Sequence, residues 1–265
     1  MKKLVLALAA VAAFTGSASA ADLAARPYTK AAPLAAPVAN WTGCYVGGGG
    51  GGAYTKNDHN DFANVAGRGI AVGDPLSPNL STGADGWFGT VQVGCDYQWN
   101  NFVVGVFGDY DFMDIHGDIS TGGFFAPAIT GSQKQDGQWA VGGRAGYLVL
   151  PQLLTYVSGG YTQAHWTSTT LASFFAPGGV ATLPGSTKGG WFIGAGDEYA
   201  LGFLPGLFWK TEYRYSEFDR ANVAITTLPG GLATGVSETE RVREHSVRSE
   251  LVYRFNWAGP VVAKY

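Results

Sequence analysis

The strongest constraint in this chain is a two-residue alternation that recurs over long stretches. Residues 102–112 set Phe102, Val104, Val106, Gly108, Tyr110 and Phe112 against Val103, Gly105, Phe107, Asp109 and Asp111. Residues 207–216 set Leu207, Trp209, Thr211, Tyr213 and Tyr215 against Phe208, Lys210, Glu212, Arg214 and Ser216. The stretches 138–149 and 247–255 repeat the pattern, with Arg144, Arg248, Glu250 and Arg254 on the second face. Successive side chains of an extended strand point to opposite faces. Each stretch therefore reads as a strand with one apolar, aromatic face and one face of charges and glycines.

Two architectures share such alternation: a soluble sandwich with polar residues outside, and a transmembrane barrel with apolar residues outside. Segment length and tryptophan position separate them. Eight segments read as strands, at 41–54, 85–98, 102–114, 136–149, 153–166, 188–201, 207–218 and 243–255. Each reaches the roughly 9–11 residues needed to cross a bilayer at a tilt. Short turns join them at 99–101, 150–152 and 203–206, while long loops cover 55–84, 115–135, 167–187 and 219–242. Short turns on one side and long loops on the other is the outer-membrane arrangement.

The tryptophans fall at the segment ends. Trp87, Trp139, Trp166 and Trp191 lie at long-loop ends, and Trp41, Trp99, Trp209 and Trp257 at short-turn ends. Amphipathic rings at two membrane interfaces produce two such girdles. The fold class expected is all-β, an eight-stranded antiparallel transmembrane up-and-down barrel. Only 14% of residues are charged, against about 25% in an ordinary soluble domain, as a lipid-facing exterior requires. A formal net charge of −3 gives no basic footprint for nucleic acid.

The barrel must close, because an open sheet edge in lipid leaves backbone groups unpaired. Eight strands leave an interior just wide enough for side chains to fill. By parity Asp96, Asp109, Asp111, Arg144, Glu198, Lys210, Glu212, Arg214, Arg248, Glu250 and Arg254 share it, which disfavours a wide aqueous pore. Two places resist the pattern. Six consecutive glycines at 47–52 leave the first register open, and 153–166 is ambiguous. Parity also puts Asp197 on the lipid face, so either it sits near an interface or the register slips there.

Outside the barrel, Met1-Lys2-Lys3, an apolar 4–14 stretch and Ala18-Ser19-Ala20 predict a cleaved secretory leader over 1–20. Residues 21–40, rich in Ala and Pro, read as an extended periplasmic arm. The barrel covers 41–255 and a tail covers 256–265.

The mature start, ADLAARPYTKAAP…ANWTGCYVGG, and the end, VRSELVYRFNWAGPVVAKY, resemble the outer-membrane immunogenic, surface-antigen proteins of alphaproteobacteria. These are porin-like barrels of the OmpA-like eight-stranded type, and GWFIGAGDEYALG at 190–202 fits as well. Cys44, Asp197 and Glu250 depart from the family pattern. The resemblance implies an outer-membrane surface protein without catalysis or cofactor, folded into the lipid bilayer by barrel-insertion machinery that reads the terminal strand. Within the family some relatives bind haemin.

Other chemistry has thinner support. The glycine run lacks the G-K-[ST] of a phosphate loop. Cys44 and Cys95 lie near the same end of the first two strands, so they form either a disulfide or two free thiols. His59, His116, His165 and His245 map to the loops or the rim, where imidazoles could bind a metal or haem iron, yet none has ligand spacing. A rim hydrolase would draw on His245-Ser246 or on His165 with Ser168, with no third member in view. The loops repeat Phe-Phe-Ala-Pro at 124–127 and 174–177, and Thr-Leu-Pro-Gly at 182–185 and 227–230. A narrow gated pore lined by the interior charges is the transport alternative.

Overall fold

The alternating segments fold into one continuous antiparallel sheet. The computed structural model describes residues 39–64, 71–76, 80–121, 129–173, 176–227 and 233–255. The leader, residues 21–38 of the arm and the tail with Trp257 lie outside the described residues, as do both Phe-Phe pairs. Eleven strands are described: β1 (Gly43–Ala63), β2 (Leu80–Trp99), β3 (Phe102–Thr121), β4 (Ile129–Leu150), β5 (Leu153–Trp166), β6 (Thr169–Ser173), β7 (Ala176–Leu183), β8 (Ser186–Ala200), β9 (Leu207–Phe218), β10 (Ala221–Thr227) and β11 (Ala233–Phe255).

Eight of them close into a ring in the order β1-β2-β3-β4-β5-β8-β9-β11, sealed by β11 on β1. That seam runs from Cys44↔Phe255 to Ala63↔Val236, and no edge strand of the ring is left open to lipid. The glycine run sets the seam's closeness. A Cβ on Gly49 would collide with the Ser249 carbonyl, and one on Gly51 with the Val247 carbonyl. Gly52 faces outward with its nearest neighbour at 3.7 Å, so it carries no such demand. The short turns use left-handed backbone at Asn100 (φ 53°) and Gly206 (φ 86°), residue types that adopt it at little cost.

The exterior of the ring is an apolar band. Val91, Val93, Val104, Val106, Phe112, Val141, Val157, Ile193, Val247 and Leu251 are all exposed on it. In water such a surface would drive association; in lipid it is the solvent-matched face. Asp197 is on this face too, in register, 2.5 Å from the Thr155 hydroxyl that donates to it. It stands two residues from Tyr199, which pairs with Trp209 at the short-turn end. The register does not slip.

Five ring strands run well past the segments that alternation marked. β1 continues to Ala63, β2 begins at Leu80, β3 ends at Thr121, and β4 and β11 begin at Ile129 and Ala233. Beyond the band their outward positions carry Lys56, Asp58 and His116 instead of apolar groups, so the alternation fades although the strands do not stop. β6, β7 and β10 lie wholly within expected loops. They pair so that β1-β2-β3-β4-β6-β7-β10-β11 forms a second cycle above the first, through β4–β6, β6–β7, β7–β10 and β10–β11 contacts. β7 and β10 pair with Thr182 opposite Thr226 and Ala181 opposite Thr227, while residues 228–230 of the second Thr-Leu-Pro-Gly repeat lie outside the described residues.

Two tryptophans correct the girdle. Trp41 is 0% exposed and Trp166 3%, so both point into the lumen. Trp41 shares the parity of Tyr45, and Trp166 that of Ala164; height along the strand located them, but face decides. Trp41 stacks on Phe208 at 4.8 Å and donates Nε1–H to the Pro151 carbonyl at 3.3 Å. Trp166 meets Phe218 edge-on at 5.3 Å. Trp87, Trp99, Trp191 and Trp209 are exposed on the outer face. Trp139 is half-buried there, 5.5 Å from the Tyr161 ring.

Candidate functional site in the barrel lumen

Strand parity delivers every one of the eleven expected interior charges to the lumen, each 6% exposed or less. Desolvated ions are costly unless paired with good geometry, and here they pair both along the wall and across the lumen. At the short-turn end, Arg144 from β4 reaches Asp96 on β2 at 2.5 Å and Glu198 on β8 at 2.8 Å. Arg254 from β11 grips the same two carboxylates at 2.6 and 2.7 Å. It also donates to the Trp41 carbonyl at 3.1 Å and lies over the Trp41, Tyr45 and Phe208 rings. The last strand is thereby tied to the segment preceding the first.

Higher in the lumen, Lys210 lies 3.3 Å from Glu250 and 2.8 Å from the Gln92 side-chain oxygen. Tyr156 donates to Glu212 at 2.9 Å. Arg214 pairs with Asp109 and Glu212, and Arg248 with Asp111 and Asp109. Phe192 packs 4.3 Å from the Arg214 guanidinium and Phe88 5.3 Å from that of Arg248. The rings fill the space between ion pairs, adding cation–π attraction in a low-dielectric setting.

Both ends of this network are closed by apolar packing. Trp41, Tyr45, Leu148, Leu154, Phe208 and Val252 close the short-turn end, with Ala39 packed against them. Ile119, Leu171, Ala181, Leu183 and Ile225 close the upper cycle. Between that cap and the ion pairs is a cavity of about 10 Å³, lined by Thr55, Asn57, Gln133, Gln135 and Trp166 among others, room for about one water.

Buried charge is unevenly spread. Among the described residues ten carboxylates and six cations are buried. The lower network holds six against five; the surplus is above, where Asp61, Glu238, Glu240 and Glu244 are buried with Lys188 as the added cation. Sequence reasoning missed these five because they lie in or beside expected loops. Lys188 pairs with Glu240 and lies over the Trp166 ring at 5.0 Å. Burial, with Asp61 adding repulsion, raises Glu238 to about 7.

The two cysteines, with His116, His165 and His245, are outside the lumen. Cys44 stands directly opposite Cys95, and the two form a disulfide on the outer face of β1 and β2. His116 contacts Asp114 at 2.9 Å, His165 contacts Asp136 at 2.6 Å, and His245 accepts or donates with the Tyr213 hydroxyl at 2.6 Å. They belong to β3, β5 and β11; the His59 side chain lies outside the described residues. Among the described residues no three His, Cys, Asp or Glu side chains group to hold a metal. Ser246 is buried in the lumen while its neighbour His245 is exposed outside, so that pair cannot act together. No hydrogen bond among the described residues joins His165 to Ser168.

Comparison with known proteins settles the family. The chain is 33% identical over 264 residues to the 31 kDa outer-membrane immunogenic protein of Brucella melitensis, covering 96% of this chain and all of that one. The chain belongs to the outer-membrane immunogenic protein family. The corresponding protein of Brucella suis matches to the same extent. No family model matches. Among solved structures the outer membrane protein OprG of Pseudomonas aeruginosa superimposes with a TM-score of 0.51 at 11% identity, over 82% of this chain and 99% of that one. At that identity the likeness is one of fold. The chain is thus an outer-membrane β-barrel, embedded in the outer-membrane bilayer, and a surface or structural component of it.

Proposed function

We propose that the protein is a closed, non-conducting and non-catalytic envelope barrel that serves as a structural and surface-antigen component. One observation carries the reading: ion pairs reach across the lumen between opposite walls, with apolar caps above and below them. An ion would have to break paired, desolvated charges to pass. The barrel stands with its long-loop cycle extracellular and its short turns and both termini periplasmic, the orientation that fits an even strand number and the asymmetry of loop length. The cycle built by β6, β7 and β10 then forms the exposed antigenic face.

Two measurements test this. A cysteine placed at Ala71 labels with an impermeant thiol reagent on intact cells, while one at Leu204 labels only after the outer membrane is permeabilised; the opposite pattern overturns the orientation. Proteoliposomes swell in an arabinose gradient no faster than empty liposomes, whereas rapid swelling rejects the closed lumen.

A further inference from the structure

Just above the apolar band, on the outer face of β1, β11 and β9, the charges are arranged against themselves. Lys56 stands directly opposite Arg243 across the seam. Like charges in that position repel, and a protein tolerates them where an anion sits between. Both turn to one carboxylate, Asp58, at 3.8 Å for Lys56 and 3.0 Å for Arg243. Arg241, the next outward residue on β11, is held by Glu217, its Nε 3.1 Å from Oε1. Three cations thus share two carboxylates.

Beneath them lies an aromatic shelf. Tyr54 is exposed on β1, Tyr213 bonds His245, and His245 lies 5.1 Å from Tyr215, which lies 5.6 Å from Trp191. Asp85 stands opposite Tyr54 at the edge of this arc. Further round the rim, Asp114 and Asp136 stand with His116, His165 and Lys134. The three clustered cations lie together on this one arc.

We propose that Lys56, Arg243 and Arg241 bind the phosphate of a phosphorylated glycolipid in the outer leaflet, with the Tyr54–His245–Tyr215–Trp191 shelf packing the lipid body below. The height matches, since the arc begins where the apolar band ends and headgroups begin. So does the chemistry: guanidinium forks and an ammonium make charge-assisted bonds to phosphate oxygens. Phosphate between Lys56 and Arg243 also removes their repulsion. The leaflet rests on the orientation proposed above; the site itself does not.

The test is native mass spectrometry of the full barrel in detergent, titrated with a bisphosphorylated glucosamine-disaccharide lipid or its dephosphorylated form. The phosphorylated lipid is retained at one copy per barrel. K56Q/R243Q weakens retention about tenfold or more, the effect of losing one or two charge-assisted bonds, while K134Q on the far side keeps the wild-type value. Heat-shifted electrophoretic mobility verifies that each variant is folded. Equal retention by the double variant overturns the proposal, as does equal retention of the dephosphorylated lipid. Displacement by millimolar inorganic phosphate assigns the site to a free anion and rejects the lipid. Because binding is read in detergent, an inverted barrel leaves this result intact and shows only in the cysteine labelling.

Discussion

Arg214 on β9 grips Asp109 on β3 with both guanidinium prongs, Nη1 at 3.0 Å and Nη2 at 2.9 Å. In the ring order these two strands are four places apart in either direction, so the pair spans the full width of the lumen. Neither residue is more than 6% exposed. Removing Arg214 leaves the six buried carboxylates of the lower network against four cations, and breaking a buried pair from one side costs about 3–5 kcal/mol. R214A should therefore lower the unfolding free energy of the micelle-folded protein, measured by urea titration, by about that amount. The reversed pair D109R/R214D should recover part of it, and a loss no larger than at exposed Lys134 would contradict the spanning role.

The disulfide between Cys44 and Cys95 closes a loop with a sequence separation of 51 residues. In the chain-entropy model such a loop is worth about 4 kcal/mol. C44S/C95S should unfold at a lower temperature in heat-shift electrophoresis, and reduction of the wild type should reproduce the change. Two freely alkylatable thiols in the native protein would refute the bridge.

Close approach at the β1–β11 seam separates glycines of one run. G49A meets the Ser249 carbonyl and should lower the folded yield, at a cost of about 1–3 kcal/mol from forced backbone movement. G52A points outward into ordinary contact distance and should be neutral or gain up to about 1 kcal/mol through the unfolded chain. Refolding yield measured side by side decides; equal losses would mean the run serves no seam.

Glu238 makes stability depend on pH. Its carboxyl rises from the usual 4.5 to about 7, so the folded state holds a proton that the unfolded chain releases first. That contribution is complete below about pH 4.5 and is lost as pH rises to about 7; the rise corresponds to roughly 3 kcal/mol. E238Q should match the wild type at pH 4.5 and exceed its stability by up to that amount at pH 8. Lys188 loses an opposing charge in this variant and so trims the gain. A gap that is constant with pH would contradict the assignment.

How much the sequence revealed follows from where lipid imposes its rule. Within the band, outward positions must be apolar, so parity placed Asp109, Arg144, Arg214 and Arg254 inside and Asp197 outside without any structure. Above the band that rule lapses, and β6, β7 and β10 read as loops although Leu171, Leu183 and Ile225 face a common core. Glycines carry no polarity, so the β1 register stayed open until its partners on β2 and β11 fixed it. Trp41 and Trp166 were assigned by height alone, when their parity with Tyr45 and Ala164 already pointed inward. The opposition of Lys56 and Arg243 needs the seam register and was beyond pattern reading.

Single-channel recording in planar bilayers tests the spanned lumen most directly. The wild type should insert, as judged by protease-protected protein in the same membranes, and give no stable openings in 1 M KCl. D109A/R214A, which removes the widest bridge, should raise the frequency of brief openings above that silent baseline. Steady, charge-selective openings of the wild-type barrel would contradict a closed lumen.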